Sequence, residues 1–315
     1  MTRTVPNRTA KKEISLTPAR NRIRDRDTAD IIFHTLVIIL SILCFIVIVY
    51  PLWFVVIASI SNSDLVNQGK VVLWPQDIRF YGFEQIFQDS RILVGYRNTL
   101  IYVVGGTLLN MIVTMPAAYA LSRPDFRARN PIMLYFVFTM YFSGGLVPTY
   151  MQINRLGLIN TPWILLVMVL INTYNLIIAR TFIQNTIPND LYESATLDGA
   201  NHFRIFWSIV LPLSKAIISV EILYYAVFHW NDYFNALIYT SNTDIQPLQM
   251  VLRRILLQNE AFANGNGGVQ GGYAQSSADQ VKYAVMIVST VPILLVYPFI
   301  QKYFEKGVMI GAVKG

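Results

Sequence analysis

Four ionisable side chains fall within one apolar segment of the sequence, residues 206–237, where a charge is costly and therefore informative. They are Lys215, Glu221, His229 and Asp232. A charged group at membrane depth generally faces a cavity or pathway, or pairs with another such group. Glu221, well inside the segment, must find a partner, water or a proton, and Lys215 or another subunit could supply the partner. The chemistry that this placement favours is polar contact with a solute.

Asparagines in the neighbouring apolar segments extend this set. Asn172 and Asn175 join Glu221 as candidates for lining a pathway, whereas Asn110 is expected to make an interhelical hydrogen bond. His229 and Trp230 are expected near the outer membrane boundary, where aromatic anchoring accounts for the tryptophan.

An enzyme active site is not indicated. An intramembrane enzyme would need paired carboxylates, a serine with a lysine or histidine, or several metal ligands, yet His34, His202 and His229 belong to different elements. The glycine-rich run at residues 264–273 lacks the Gly-Lys-Ser/Thr ending of a phosphate-binding loop and is interpreted as a mobile outer loop. We therefore expect no ATPase site, no metal and no cofactor in this chain.

The elements that must position these residues are apolar helices. The chain has 315 residues, of which 54% are hydrophobic and 14% charged, against about 25% charged in soluble domains. The apolar residues gather into segments of about 20 or more, enough to cross a hydrocarbon layer of about 30 Å. The net charge of +7 arises largely at the N-terminus and in short loops, so membrane topology explains it better than nucleic acid does. The sequence thus predicts an all-α polytopic protein of the lipid bilayer.

Six transmembrane helices are predicted, at residues 31–60 and at about 98–121, 131–150, 162–182, 206–237 and 283–300. Eight Arg and Lys residues lie in segment 1–30 and three in loop 122–130, against one in loop 151–161. Because basic residues favour the cytoplasmic side, both termini are predicted to be cytoplasmic. Segment 1–30 and tail 301–315 are then cytoplasmic, loop 61–94 and the loop at about 239–281 are extracytoplasmic, and residues 95–300 form the main transmembrane domain.

The connection between the fourth and fifth predicted helices, hereafter the motif segment (residues 188–212), has a distinct pattern. Pro188 and Asp190 indicate a helix start, Gly199 should end that helix, and Asn201 can cap a second one. Residues 188–204 should therefore form a bent, compact pair of short helices on the cytoplasmic face. The residues small enough to let a partner surface approach closely are Ser194, Ala195 and Ala200.

This segment resembles the Glu-Ala-Ala coupling motif of bacterial ABC importer permeases. The matching positions are Glu193-x-Ala195-x3-Gly199 followed by Ile209-x-Leu211-Pro212, with Ser194 in place of the second alanine. On this resemblance, the residues that couple the permease to its ATPase are Glu193, Ser194, Ala195, Asp198, Gly199, Ala200, Ile209, Leu211 and Pro212.

Four further stretches are similar to the carbohydrate-uptake permeases of the MalG-like and LplC-like branch. They are residues 117–123, 142–148, 230–234 and 301–315. The resemblance covers most of residues 95–315 and implies a type I ABC importer permease fold. It also implies three kinds of partner: a sister permease subunit completing a heterodimer, a cytosolic ATPase dimer, and an extracytoplasmic solute-binding protein.

The implied function is a permease subunit that moves a sugar or oligosaccharide across the bacterial cell membrane. Sugar hydroxyls could then partner Glu221, and the aromatic faces of Tyr224 and Tyr225 could stack on pyranose rings. The alternatives left open are an importer permease for a peptide or other non-sugar solute, an intramembrane enzyme, and a stand-alone channel or receptor.

Overall fold

The computed structural model describes residues 28–265, 278–295 and 298, and these residues form helices without a β-strand. The predictions for nearly all of the basic N-terminal segment 1–30, for nearly all of the glycine-rich run 264–273 and for the tail 301–315 lie outside the described residues. The chain divides into two compact units, Met1–Trp53 and Phe54–Gly315.

The described part of the first unit is the beginning of helix α1 (Thr28–Ser59). Its side chains from residue 31 to residue 53 are exposed, among them Phe33 (65%) and Ile48 (66%). A helix that is apolar all round has no polar face to offer water, so it requires hydrocarbon or other apolar helices around it. The first predicted span, residues 31–60, is therefore confirmed as one continuous apolar helix.

Helix α4 is the centre of the second unit. It packs against α8, α12 and α14, and clusters of buried apolar side chains surround both of its ends. The helices of this unit, in chain order, are α2 (Ser63–Asn67), α3 (Tyr81–Gln88), α4 (Arg91–Ser122), α5 (Arg129–Tyr141), α6 (Leu146–Arg155), α7 (Pro162–Val167), α8 (Thr173–Thr186), α9 (Asn189–Leu197), α10 (His202–Ile205), a π-helical turn (Phe206–Val210), α11 (Leu211–Leu213), α12 (Lys215–Trp230), α13 (Phe234–Tyr239), a 3-10 turn (Thr243–Ile245), α14 (Leu248–Gly265) and α15 (Ala278–Leu295).

Three helices of the described chain are long and apolar enough to cross a membrane: Asp30–Ser59, Arg91–Ser122 and Ala278–Leu295. The number rises to five if each of two bent pairs is one span. The first pair is α5 with α6. The second is α12 with the helix His202–Leu213, which consists of α10, the π-helical turn and α11.

The third predicted helix, residues 131–150, is not continuous. Helix α5 ends at Tyr141, and α6 leaves it at an angle of 116°. Gly145 makes the turn with φ of +83°, a backbone region that side chains with a Cβ avoid. The predicted span is therefore a bent pair of helices, because Gly144 and Gly145 interrupt the apolar run.

The fourth predicted helix, residues 162–182, is also broken. Helix α7 ends at Val167 and α8 begins anew at Thr173. The side-chain oxygen of Asn172 accepts hydrogen bonds from the amides of Tyr174 and Asn175, so Asn172 caps the second helix.

The fifth predicted helix, residues 206–237, was wrong at both ends. Residues up to Leu213 belong to the short helix His202–Leu213, which meets α12 at 83°, and α12 itself ends at Trp230. Pro212 offers no amide hydrogen to an intrahelical bond, and Asp232 accepts from the amide of Asn235 to start α13. The predicted outer loop 239–281 likewise contains an 18-residue helix, α14.

Candidate functional site

The first half of the motif segment is a helix with a well-defined C-terminal cap. Helix α9 runs Asn189–Leu197, with Pro188 preceding it, as the sequence predicted. The Gly199 amide donates to the Thr196 carbonyl, and the Ala200 amide donates to the Ala195 carbonyl. This crossed pair of bonds is the Schellman ending, which needs a left-handed residue, and Gly199 has φ of +76°. The Asn201 side chain then accepts from the Arg204 amide and caps α10.

An aromatic cluster fixes α9 to the end of α4. Tyr192 is 4% exposed and stacks on Tyr119 with ring centroids 6.3 Å apart, and Tyr119 also contacts Phe206 at 5.6 Å. The guanidinium of Arg123 lies 3.8 Å from the centroid of the Tyr192 ring, while its Nε donates to Asp125. Burial raises the pKa of the Tyr192 phenol, which keeps it neutral. The motif segment is therefore held rigidly at this end of α4.

The predicted coupling residues divide between an exposed face and a packed face. Glu193, Ser194, Asp198 and Gly199 are exposed, and none of the three ion pairs recorded among the described residues includes Glu193. Ala195 is buried, so its small size serves packing against the bundle and not the approach of a partner, which corrects that part of the prediction.

The remaining coupling residues lie at the edge of the segment. Ala200, Ile209 and Leu211 are half-buried against the apolar cluster at the end of α4, and Pro212 is exposed. Leu197 adds a large apolar side chain that is 89% exposed at the tip of α9. The exposed face thus combines two carboxylates, the small residues Ser194 and Gly199, and the protruding Leu197.

A polar network crosses the interior where α4, α12 and the break between α7 and α8 meet. The amide nitrogen of Asn110 donates to the carbonyls of Val169 (2.5 Å) and Leu170 (3.1 Å), and its oxygen lies 2.8 Å from His229 Nε2. The interrupted helix frees these carbonyls, and in hydrocarbon they need a substitute partner. The predicted interhelical hydrogen bond of Asn110 is confirmed.

His229 and Trp230, at the end of α12, are buried between helices. His229 is 2% exposed, and a Cβ on Gly106 would lie 2.3 Å from its Nε2, so the ring fits only because residue 106 is glycine. Trp230 is 7% exposed and donates its indole N–H to the carbonyl of Ser289 on α15. Packing between helices therefore holds both side chains, in addition to the outer-boundary position that the sequence predicts for them.

Two of the candidate pathway residues have structural partners. The Tyr225 hydroxyl, on a side chain 1% exposed, lies 2.8 Å from Thr114 Oγ1 and accepts from the Asn172 amide. Asn172 is half-buried, and its side chain is engaged as the cap of α8; Asn175 is buried beside it.

Glu221 and Tyr224 differ in burial. Glu221 is fully buried, and neither of its carboxylate oxygens has a hydrogen-bond partner among the described residues. Tyr224, three residues further along α12, is 40% exposed. The structure therefore brings Asn172, Asn175 and Tyr225 together but does not bring the two tyrosines onto one surface.

An apolar groove of about 950 Å³ lies between α4, α12 and the helical run His202–Leu213. Its walls include Met111, Met115, Phe203 and Ile222, and none of the five candidate pathway residues contributes to it. No group of three or more His, Cys, Asp or Glu side chains in the described chain is placed to hold a metal ion.

Sequence reasoning missed the partners that hold the site. Tyr192, Arg123 and Tyr119 form the anchor of α9, and Gly106 makes room for His229. Tyr192 lies inside the motif and could have been singled out as the one aromatic residue of α9, whereas Gly106 gives no local signal.

The fold and the site define an all-helical membrane subunit that presents a short, firmly capped helix at one end of its bundle. Comparison with known proteins then gives the family. The family model described as the binding-protein-dependent transport system inner membrane component matches residues 16–310, and the chain belongs to this family.

Two curated relatives and one solved structure are similar to most of the chain. The polygalacturonan/rhamnogalacturonan transport system permease protein YtcP of Bacillus subtilis (strain 168) is 37% identical over 286 residues, which are 91% of this chain and 98% of the relative. Protein LplC of the same organism is 36% identical over 85% of this chain and 90% of its own length. A crystal structure of a bacterial ABC transporter involved in the import of the acidic polysaccharide alginate superposes with a TM-score of 0.77 at 30% identity, covering 88% of this chain and 98% of that one.

The chain is therefore a permease subunit of an ABC importer in the bacterial inner membrane, and a transport subunit and not an enzyme. An importer of this kind also contains an ATPase and a solute-binding protein, both of which are separate subunits.

Proposed function

We propose that this permease carries a sugar or an oligosaccharide, using ATP that a separate cytosolic ATPase dimer binds and hydrolyses. The observation that carries the proposal is similarity across 91% of the chain to a permease named for polygalacturonan and rhamnogalacturonan transport. The importer of alginate, with its 30% identity and TM-score of 0.77, supports the same class of cargo. A peptide or another non-sugar solute is the second candidate, and no feature of the described residues favours it.

The proposed topology has six spans with both termini in the cytoplasm. The spans would be α1, α4, the bent pair α5 and α6, the interrupted pair α7 and α8, α12, and α15. An even number of spans returns the chain to the side on which it began, and the basic loop 122–130 supports a cytoplasmic position for the adjoining motif segment.

Coupling to ATP hydrolysis is proposed to run through the motif segment. Its exposed face, with Glu193 and the protruding Leu197, would sit in a groove of the ATPase, and Glu193 would meet a basic group there. The aromatic anchor at Tyr192 supports this role, because a force on α9 reaches α4 without being lost in a flexible joint. A lever of this type requires rigidity and a fitted surface, and no cofactor in this chain.

A sister permease subunit is proposed to complete the translocation pathway as a heterodimer, and a solute-binding protein would deliver cargo at the opposite, extracytoplasmic end. Such an arrangement gives the exposed apolar faces of α1 and α12 either lipid or a second bundle as neighbour.

The test is uptake of a panel of labelled mono- and oligosaccharides by a strain lacking this gene, with and without a plasmid copy. We expect at least one carbohydrate to enter only when the plasmid is present and ATP is available. A labelled peptide panel serves as the matched comparison. Gene-dependent uptake of a peptide with none of any carbohydrate would reject sugar as the cargo.

A further inference from the structure

A small pocket between α13 and α14 contains two arginines that the functions described above do not use. Its volume is about 340 Å³. Its apolar walls include Leu237, Met250 and Leu257, and its polar groups are Arg253, Arg254 and Gln258.

Both arginines are held in position by partners that leave their charge in place. The guanidinium of Arg253 lies 5.1 Å from the centroid of the Tyr233 ring, and Arg254 donates to the side-chain oxygen of Gln246, which is 2% exposed. Neither arginine belongs to an ion pair recorded in the described part of the chain. A guanidinium carries five N–H donors, so each retains donors for an incoming group.

Two acidic side chains that could compete for the arginines, Asp89 and Asp232, have hydrogen-bond partners of their own. Asp89 feels the charge of Arg254, but its carboxylate is bound by Arg91 at 2.6 Å, and that hydrogen bond holds the pKa of Asp89 below its ordinary value. Asp232 is likewise occupied with the amide and side chain of Asn235. The residues that line the pocket therefore include two cations and no acidic side chain.

The position of the pocket is opposite to that of the motif segment. Helix α14 packs against the first turns of α4, where Thr99 accepts from the Leu248 amide and a Cβ on Gly95 would lie 3.1 Å from the Leu248 Cα. The motif segment packs on the last turns of α4, around Tyr119. Under the proposed function, the arginine pocket thus lies at the end where solute enters.

We propose that Arg253 and Arg254 bind the carboxylate of an acidic oligosaccharide, so that the cargo is a sugar containing uronic acid units. This inference rests on the proposed function and adds the charge of the solute to it. A planar guanidinium pairs with a carboxylate through two parallel hydrogen bonds, which a hydroxyl cannot reproduce. The apolar walls accept the carbon-bound face of one sugar ring, and the exposed ring of Tyr233 beside Arg253 offers a second apolar surface.

The experiment uses the whole importer, reconstituted in liposomes with its sister subunit, ATPase and binding protein. The probes are trigalacturonate and the same trisaccharide with its carboxyl groups methyl-esterified. The variants are Arg253→Gln, Arg253→Lys and, as control, Arg155→Gln, which removes an exposed arginine of α6 outside the pocket.

We expect Arg253→Gln to raise the half-saturating concentration of the acidic trisaccharide about tenfold and to leave that of the ester unchanged within about twofold. For Arg253→Lys we expect a half-saturating concentration between those of wild type and Arg253→Gln, because a lysine keeps the charge but cannot form two parallel hydrogen bonds to a carboxylate. The difference between wild type and Arg253→Gln should shrink at high salt. The control variant should behave as wild type.

Three outcomes would overturn the inference while leaving the proposed function intact. The wild type could take up the ester but not the acid, or Arg253→Gln could change the half-saturating concentrations of both probes equally. In the third, the effect of Arg253→Gln would depend on the anionic lipid content of the liposomes. Weaker binding of the empty solute-binding protein to Arg253→Gln would assign the arginines to that protein's surface and would also overturn it. Absence of uptake for every carbohydrate tried, acidic or neutral, would instead reject the proposed function.

Discussion

Gly199 shows how one residue sets the shape of the coupling surface. Its φ of +76° completes the Schellman ending of α9, yet a Cβ added there would meet nothing within 4 Å. The requirement for glycine is therefore conformational and not steric. The left-handed backbone costs an ordinary L-residue roughly 1–2 kcal/mol, more for a β-branched one and less for asparagine.

Replacing Gly199 by valine should abolish ATP-coupled uptake while leaving the protein in the membrane, because the helix ending must rearrange and the exposed face of α9 must shift. The matched control is Gly199→Asn, which tolerates the same backbone angles and should keep most of the transport. Uptake and solute-stimulated ATPase activity are measured in parallel with the amount of membrane-inserted protein. Unchanged transport by the valine variant would remove the coupling role from this turn.

At the scale of the helices, close packing of α12 on α4 depends on a small residue at one point. His229 of α12 enters the space above Gly106 and reaches Asn110, which in turn satisfies the carbonyls of the break between α7 and α8. Three elements therefore share one hydrogen-bonded junction, and a change in the distance between α4 and α12 affects all three.

Gly106→Ala should lower the free energy of unfolding by about 1–3 kcal/mol, the usual cost of overpacking, because its Cβ would lie 2.3 Å from the His229 ring. The neighbouring Gly105→Ala is the control, since its Cβ would approach only Leu166 at 3.4 Å. Thermal unfolding of the purified complex in detergent measures both. Equal midpoints for the two variants would mean that the ring of His229 can move aside freely.

Some helices could be predicted from the sequence and others could not, because hydropathy averages over many residues whereas helix caps and turns depend on single ones. Hydropathy found the apolar runs that contain α5, α7 and α12 but not their interruptions, because it sums composition over about 19 residues while the breaks depend on single residues such as Gly145 and Asn172. Local rules were more successful at the motif segment, where Gly199 and Asn201 act on their immediate neighbours.

The contacts that hold the site could not be predicted because they join distant parts of the chain. Asn110 and His229 are separated by 119 positions, and each taken alone resembles any polar residue in a membrane helix. The guanidinium of Arg123 and the ring of Tyr192 are likewise far apart in the sequence and in contact in the fold. Only the fold brings these partners together.

At the scale of the whole subunit, the two ends of the second unit carry different surfaces. The motif segment offers Glu193 at one end, and α14 carries the exposed Glu260 near the other. Under the proposed topology these carboxylates face opposite sides of the membrane, which allows a matched test of where the ATPase binds.

Reversing the charge with Glu193→Lys should reduce co-purification of the ATPase several-fold and depress coupled uptake, since a basic group in the ATPase groove would then be repelled. Glu260→Lys, an identical change at the opposite end, should leave the complex intact. Pull-down of the ATPase through a tag on the permease measures the association. Equal retention of the ATPase by both variants would contradict an electrostatic contact at Glu193.

Helix α4 contacts α14 at one end and the motif segment at the other, and its length determines how a movement at one end affects the other. Its 32 residues at a rise of 1.5 Å make a rod of about 48 Å, with α14 on its first turns and the Tyr119 cluster on its last. A tilt of about 5° around the middle of such a rod moves its two ends by roughly 2 Å in opposite directions. A displacement of that size exceeds the tolerance of a hydrogen bond, so a small rotation imposed at one membrane face is enough to make or break polar contacts at the other.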